Sequence, residues 1–283
     1  MSATNPFDQL ARDPVFIVGA ARSGTTWLYD VMTAHPEVAG VFESWLFTPE
    51  NGLKNLFGPA HWPGKYSGLG RLLGRDELLV HTREMAARLM SHAIGPEHRF
   101  LVEKSPSHLF AMSFIREVFP GARFIHILRD GRDVGVSVRA ASRSWMQAWQ
   151  DTFGRTVRSS ARAWKHAVKR ARHDRAELGE AFLEIRYEDI RQDPFAAYRQ
   201  IFDFCGIPYD ESLLQRIFQA TDFARNYQPK ESAFRRGGRV GDWKRQFRFL
   251  DAFNFHREAG DLLLELHYEQ DRGWWWKHYL FRK

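Results

Sequence analysis

The residues best suited to chemistry come early in the chain. Gly19-Ala20-Ala21-Arg22-Ser23-Gly24-Thr25-Thr26-Trp27 follows the apolar run Val15-Phe16-Ile17-Val18. The spacing Gly19-x4-Gly24 is that of a loop whose backbone N–H groups cradle phosphate at a helix N-terminus, where the helix dipole also favours an anion. Thr25 stands where nucleoside-triphosphate enzymes carry the lysine that reaches the β- and γ-phosphates. The cation is instead Arg22, inside the loop. The groups that handle a magnesium triphosphate are incomplete, and a nucleotide with a shorter 5′ anionic group fits better.

A second constellation is Arg129-Asp130-Gly131-Arg132-Asp133-Val134-Gly135-Val136-Ser137. An arginine at a strand end and a hydroxyl on the first turn of the next helix can converge on one phosphate. Arginine gives a charge-assisted fork and serine a neutral hydrogen bond. Taken alone, the pair equally describes an arginine at a sheet edge and a serine opening a helix. Glu43, beside Phe42, Trp45 and Phe47, is a candidate base, because desolvation there would raise its proton affinity. His108 is the competing base; otherwise it is a polar residue on the exposed start of a helix.

These segments must be positioned by the elements before them. The sequence predicts buried strands over Val15–Val18, Val38–Phe42, Phe100–Val102, Phe124–Leu128 and Phe182–Ile185. Helices are predicted over Thr25–Ala34, Asp76–Ala93, Ser107–Phe119, 152–178 and Pro194–Cys205. In Asp76–Ala93 the apolar side is read as Leu78, Leu79, Met85, Leu89 and Met90. Short, continuously apolar strands alternating with helices indicate one α/β domain with a central parallel sheet flanked by helices. The chemically promising segments all follow strands, so they should meet at the sheet's carboxyl edge. Residues 1–13 are read as a loose leader. Residues 48–75, rich in Gly and Pro, are read as an insertion or lid on the acceptor side, with Phe57, Trp62 and Tyr66.

With both constellations in place, the chain resembles the PAPS-dependent sulfotransferases (PAPS is 3′-phosphoadenosine 5′-phosphosulfate). Their 5′ loop reads Gly-x-x-Arg/Lys-Ser-Gly-Thr-Thr-Trp, and their 3′-phosphate motif reads Leu-Arg-Asp-x-Arg-Asp-x-x-x-Ser. The resemblance continues through Glu184-Ile185-Arg186-Tyr187-Glu188-Asp189, Asp193–Pro208, Thr221-Asp222-Phe223 and Arg235–Lys244. It covers nearly the whole chain outside residues 1–12, 48–75 and the last ten or so. It implies that Arg22, Ser23, Gly24, Thr25, Thr26 and Trp27 hold the 5′ end of the donor and Arg129 and Ser137 the 3′-phosphate. Tyr187 and Phe223 would lie at the adenine. Arg236, Gly237, Gly238 and Arg239 would belong to a loop closing over the 3′-phosphate. Gly237 stands where the family often has a second cation, which leaves Arg235 or Arg239 to supply that charge. The resemblance also implies sulfuryl transfer to a hydroxyl or amine of a small-molecule or glycan acceptor, with release of PAP (adenosine 3′,5′-bisphosphate) and no metal. Lys104, in a Glu-Lys-Ser-Pro segment like that of the glycan-sulfating branch, and Arg22 would neutralise the leaving oxygen. Glu43 matches the acidic base of the glycan- and tyrosylprotein-sulfating branches. His108 lies four residues after Lys104, where cytosolic members place a histidine two residues on.

Composition is compatible with this reading. Of 283 residues 44% are apolar, including 23 Phe and 10 Trp, enough for a large core. Lys and Arg number 41 against 34 Asp and Glu, a net +7 that favours anionic ligands. No like-charge block forms a nucleic-acid arm, and no nucleic-acid partner is expected. Cys205 is alone, which excludes an internal disulfide or cysteine metal cluster and fits a reducing compartment. No run approaches the ~20 apolar residues of a membrane span, and a cytoplasmic protein is expected. The rival readings are a P-loop-like nucleotide kinase and a non-enzymatic nucleotide- or nucleic-acid-binding module. Trp274-Trp275-Trp276 reads as a tail packed on the body.

Overall fold

A computed structural model describes residues 13–57, 69, 72–222 and 238–280. Five strands, β1 (Val15–Gly19), β2 (Val38–Phe42), β3 (Phe100–Lys104), β4 (Arg123–Leu128) and β5 (Phe182–Arg186), pair in parallel in the order β2-β3-β1-β4-β5. β1 is central: Ile17 pairs with Lys104 on one side and Ile125 on the other. The pleat sends alternate residues of β1 to opposite faces. Val15 and Ile17 enter a core with Leu28 and Val31 of the helix Thr25–Thr33 and Ile201 and Phe202 of the helix Pro194–Cys205. Phe16 and Val18 enter a second core with Ile115, Trp164 and Phe255, from the helices Met112–Val118, Val157–Leu178 and Phe249–Glu265. With both faces covered, no strand needs a polar side, which is why each reads as a continuous apolar run. The expected α/β sheet is the one that forms.

After β1 the chain fills one side of the sheet (β2, β3), then the other (β4, β5). The connections therefore diverge at the carboxyl end of β1 and open a crevice there.

Some element boundaries differ from expectation. The segment after β3 is a tight 3₁₀ turn, Pro106–Ala111, followed by the helix Met112–Val118. The long helix begins only at Val157, where Thr156 and Ser159 form a reciprocal cap, and a separate 3₁₀ turn covers Gln147–Asp151. The helix Arg75–Ser91 buries Leu78, Thr82, Ala86, Ala87 and Met90, whereas Met85 and Leu89 are exposed. Leu78 and Met90 thus face inward as expected and Leu79 packs partly against the core, while the middle of the inward face is made of Thr82, Ala86 and Ala87 in place of Met85 and Leu89.

Candidate active site

The chain leaves β1 at Gly19 and turns directly into the helix Thr25–Thr33. Gly24 caps that helix with φ 112°, and no side chain bonds the helix's first N–H groups. Those donors, with the positive end of the dipole, form an open anion-binding end. Glycine is required at 24 for a second reason: a Cβ would stand 2.6 Å from Tyr187 Cδ2. Arg22 has φ 70°, rare for a side chain of its size. Its Nε donates to Ser137 Oγ at 3.2 Å.

Arg129, at the end of β4, spans the crevice. Its guanidinium donates to the carbonyls of Arg22 (3.3 Å) and Arg239 (3.1 Å) and lies 4.3 Å from the Tyr187 ring centroid. Tyr187 donates its hydroxyl to the Gly238 carbonyl at 2.7 Å and meets Trp27 edge-on at 5.7 Å. Burial pushes the Tyr187 phenol above its ordinary value, partly opposed by Arg129, so it stays a neutral donor. The loop residues Arg22, Gly24, Thr25, Thr26 and Trp27 therefore share one cavity with Arg129, Ser137, Tyr187, Gly238 and Arg239. Ser23 is buried beneath the loop. Phe223, Arg236 and Gly237 lie outside the described residues.

The cavity measures about 1660 Å³, beyond the ~300–1,000 Å³ of an ordinary small-ligand site. Ser23 Oγ and Arg129 Nε are buried without a hydrogen-bond partner among the described residues. A nucleotide carrying 5′ and 3′ anions fits this set of amides and guanidinium groups.

The other charges of the Arg129–Ser137 segment hold the structure together. Asp133 accepts the backbone N–H of Gly241 (2.7 Å) and of Trp243 (2.9 Å). Arg132 is buried, paired with Asp130 and Glu269, and lies in the corner between the near-perpendicular rings of Trp243 and Trp274, at 3.8 and 4.6 Å. The tail is thus packed on the body through Trp274, and Trp275 packs on Phe249, Phe253 and His256.

At the opposite wall, Lys104 ends β3 with its side chain fully buried. Its Nζ donates to Glu43 Oε1 at 2.6 Å and lies 3.6 Å from the Phe42 ring centroid. Burial pushes the Lys104 ammonium below its ordinary value, and Glu43 opposes that shift. Glu43 lines the cavity with φ 52°. The expected apolar surroundings need correction, because Phe42 and Trp45 are about half exposed and the carboxylate is held by an ammonium.

His108 also needs correction. It is not at an exposed helix start but fully buried, with both ring nitrogens engaged. Nε2 accepts the Phe47 N–H at 3.1 Å, so the proton is on Nδ1, which donates to Glu103 Oε2 at 2.8 Å. Neither nitrogen is free to meet a substrate.

Past Glu43 the cavity wall is aromatic. Trp45, Phe110, Trp145, Met146, Trp149 and Phe153 line it, and Trp149 contacts both Trp145 (6.0 Å) and Phe153 (4.9 Å). These rings come from residues 145–153, which the sequence did not single out. Phe57 of the expected insertion packs instead on Phe114 at 5.1 Å; Trp62 and Tyr66 lie outside the described residues.

Known proteins resemble this chain in sequence and in fold. Protein-tyrosine sulfotransferase 1 of Danio rerio is 27% identical over 208 residues, 71% of this chain. The chain spans only 55% of that relative's length. Omega-hydroxy-beta-dihydromenaquinone-9 sulfotransferase of Mycobacterium tuberculosis is 23% identical over 261 residues, covering 74% of this chain and 67% of that protein. A mouse sulfotransferase solved in complex with PAP superposes with a TM-score of 0.57 at 17% identity, covering 93% of this chain and 90% of that one. At that identity the likeness is one of fold. The family profile described as "Sulfotransferase family" matches residues 14–211. On this match, the chain belongs to the sulfotransferase family.

Proposed function

We propose that the protein moves a sulfuryl group from PAPS to an acceptor hydroxyl or amine, releasing PAP. The observation that carries this reading is the convergence of two separate devices on one cavity. One is an anion site of amides and guanidinium groups (Arg22, Arg129, the loop and Tyr187 with Gly238). The other is the carboxylate of Glu43, which lines the cavity, with the ammonium of the fully buried Lys104 paired to it from behind.

In this reading Arg129 and Ser137 hold the 3′-phosphate, Tyr187 and Trp27 flank the adenine, and Ser23 to Thr26 bind the 5′ end. Phe223, Arg236 and Gly237 are proposed to complete the donor site on the resemblance alone. Glu43 accepts the acceptor's proton. Lys104 and Arg22 neutralise the oxygen that departs with PAP, a stabilisation worth most in a site shielded from water. In this reading the two cations meet that charge and no metal ion is required. The aromatic wall around Trp145, Trp149 and Phe153 supports a small-molecule acceptor with a ring or apolar body, in preference to a glycan. A cytoplasmic setting belongs to the same proposal. Its support is that Cys205 is the single cysteine of the sequence, so no disulfide forms within it.

The test combines binding and turnover. PAP without Mg²⁺ should raise the melting temperature, by about 2.7 kcal/mol of stability at ~100 times its dissociation constant. Stabilisation by ATP–Mg and not by PAP overturns the donor assignment. Glu43→Gln should retain PAP binding and lose ~10²–10⁴ in turnover. Normal turnover by Glu43→Gln excludes it as the base.

A further inference from the structure

Two residues in the wall behind Lys104 adopt backbone conformations that their side chains disfavour. Glu43 has φ 52° and Trp45 has φ 59°, both left-handed. Such conformations persist only where the surroundings over-determine them. The segment facing them, 103–108, supplies that determination from its side chains. Glu103 Oε1 accepts the backbone N–H of Ser44 at 3.1 Å and the Ser44 hydroxyl at 2.8 Å. It also accepts the Ser105 hydroxyl at 2.6 Å, and Ser105 Oγ accepts the Trp45 N–H at 3.4 Å. Glu103 Oε2 receives the Nδ1 proton of His108, whose Nε2 accepts the Phe47 N–H. The Lys104 carbonyl accepts the Glu43 N–H at 2.8 Å. Four backbone amides on a non-helical turn are thus held by one short segment: Ser44 by the Glu103 carboxylate, Phe47 by the His108 imidazole, Trp45 by the Ser105 hydroxyl and Glu43 by the Lys104 carbonyl, with the carboxylate and the imidazole both fully buried.

The geometry points to Glu103 and His108 as positioning residues: a buried clamp that fixes Glu43 in its left-handed conformation against Lys104. Both side chains are fully buried and spend their polar atoms on hydrogen bonds within the protein, so they are read as positioning groups and not as catalytic ones. The inference rests on the reading of Glu43 as the base. A clamp of this kind matters because catalytic geometry is unforgiving: a displacement of ~1 Å can cost about a hundredfold in rate. Burial would push the Glu103 carboxyl up, but the protons donated by His108, Ser105 and Ser44 more than offset it and hold it below the ordinary glutamate value. The clamp therefore keeps its charge.

Glu103→Gln is the informative change. Its amide nitrogen would face the His108 Nδ1 proton, and moving that proton to Nε2 would set it against the Phe47 N–H. Every tautomer leaves two donors opposed, so the turn must shift. We expect kcat to fall by roughly 10- to 100-fold, with KM for PAPS within about twofold and the PAP-induced melting shift retained, because the donor loop is untouched. The decisive measurement is a double-mutant cycle. In a Glu43→Gln background, Glu103→Gln should cost less than about twofold in kcat, since there is no base left to misplace. Ser105→Ala, which leaves the Glu103–His108 pair in place, should show the same non-additivity with a smaller loss, about threefold to tenfold; it stands in should Glu103→Gln not fold. Full kcat in Glu103→Gln and Ser105→Ala, or the same fold-loss in both backgrounds, overturns the clamp. If Glu43→Gln alone has normal kcat, the base reading has failed and not the clamp's hydrogen bonding.

Discussion

At the scale of single residues, the donor end was legible and the chemistry at the far wall was only half so. A Gly-x4-Gly loop after an apolar strand has few physical uses, and Arg22, Gly24, Thr25, Thr26 and Trp27 line one cavity. Ser137 was expected to bind phosphate directly, and it accepts a hydrogen bond from Arg22. That contact makes the two interdependent. Arg129→Ala should weaken PAP by about 1.5–3 kcal/mol and Ser137→Ala by about 0.5–1.5 kcal/mol. Adenosine 5′-phosphosulfate, lacking the 3′-phosphate, should lose less with either. Calorimetric titration of both nucleotides reads the difference, and equal losses would mean that both residues act through the fold. His108 was misread because sequence spacing cannot show that a 3₁₀ turn, and not an α-helix, follows β3. In an α-helix the ring would have pointed elsewhere; in the tighter turn it enters the core beside Phe16 and Phe47.

At the scale of elements, strands were read nearly to their ends, because apolar runs buried on both faces are unambiguous. The inward face of the helix Arg75–Ser91 was read only in part, since Thr82, Ala86 and Ala87, and not Met85 and Leu89, face the core between Leu78 and Met90. Nothing in the sequence shows what Asp133 does, because its partners lie more than a hundred residues away and are backbone amides. Asp133→Asn would leave one of those amides facing a donor, a defect worth about 1–3 kcal/mol. We expect faster hydrogen exchange across 238–243 and weaker PAP binding, with the strands unaffected; unchanged exchange there would disprove the tether. The segment 103–108 also has a signature in acid. A carboxyl whose native value lies below its unfolded value stabilises the fold above the unfolded value. That contribution is lost as pH falls through the native one. Glu103 is such a group. Below about pH 4.5, its ordinary value, wild type should lose melting temperature more steeply than Glu103→Gln. Parallel acid limbs would show that Glu103 is not held in its charged form.

At the scale of the whole molecule, the tail closes the fold. Trp274 is buried against Trp243 and covers Arg132, whereas Trp276 is partly exposed. Trp274→Ala should cost about 3–5 kcal/mol, read as a lower urea midpoint, while Trp276→Ala should stay within about 0.5 kcal/mol. Equal effects would mean that the three-tryptophan run acts as a unit and not through its first ring. The aromatic wall of the cavity was illegible for a related reason. Trp145, Trp149 and Phe153 become one surface only when the 3₁₀ turn Gln147–Asp151 folds back on itself.

Among the described residues, four side-chain-bearing positions have left-handed backbone, and three of them (Arg22, Glu43 and Trp45) line the cavity. The fourth, His267, does not line it. Strain of this kind is a reserve that selection for heat tolerance would draw on first. Asparagine at 22 or 43, or glycine at 45, suits the backbone better than the native residue does. A library screened only for thermal survival should therefore enrich such replacements, and its hardiest members should be its poorest catalysts.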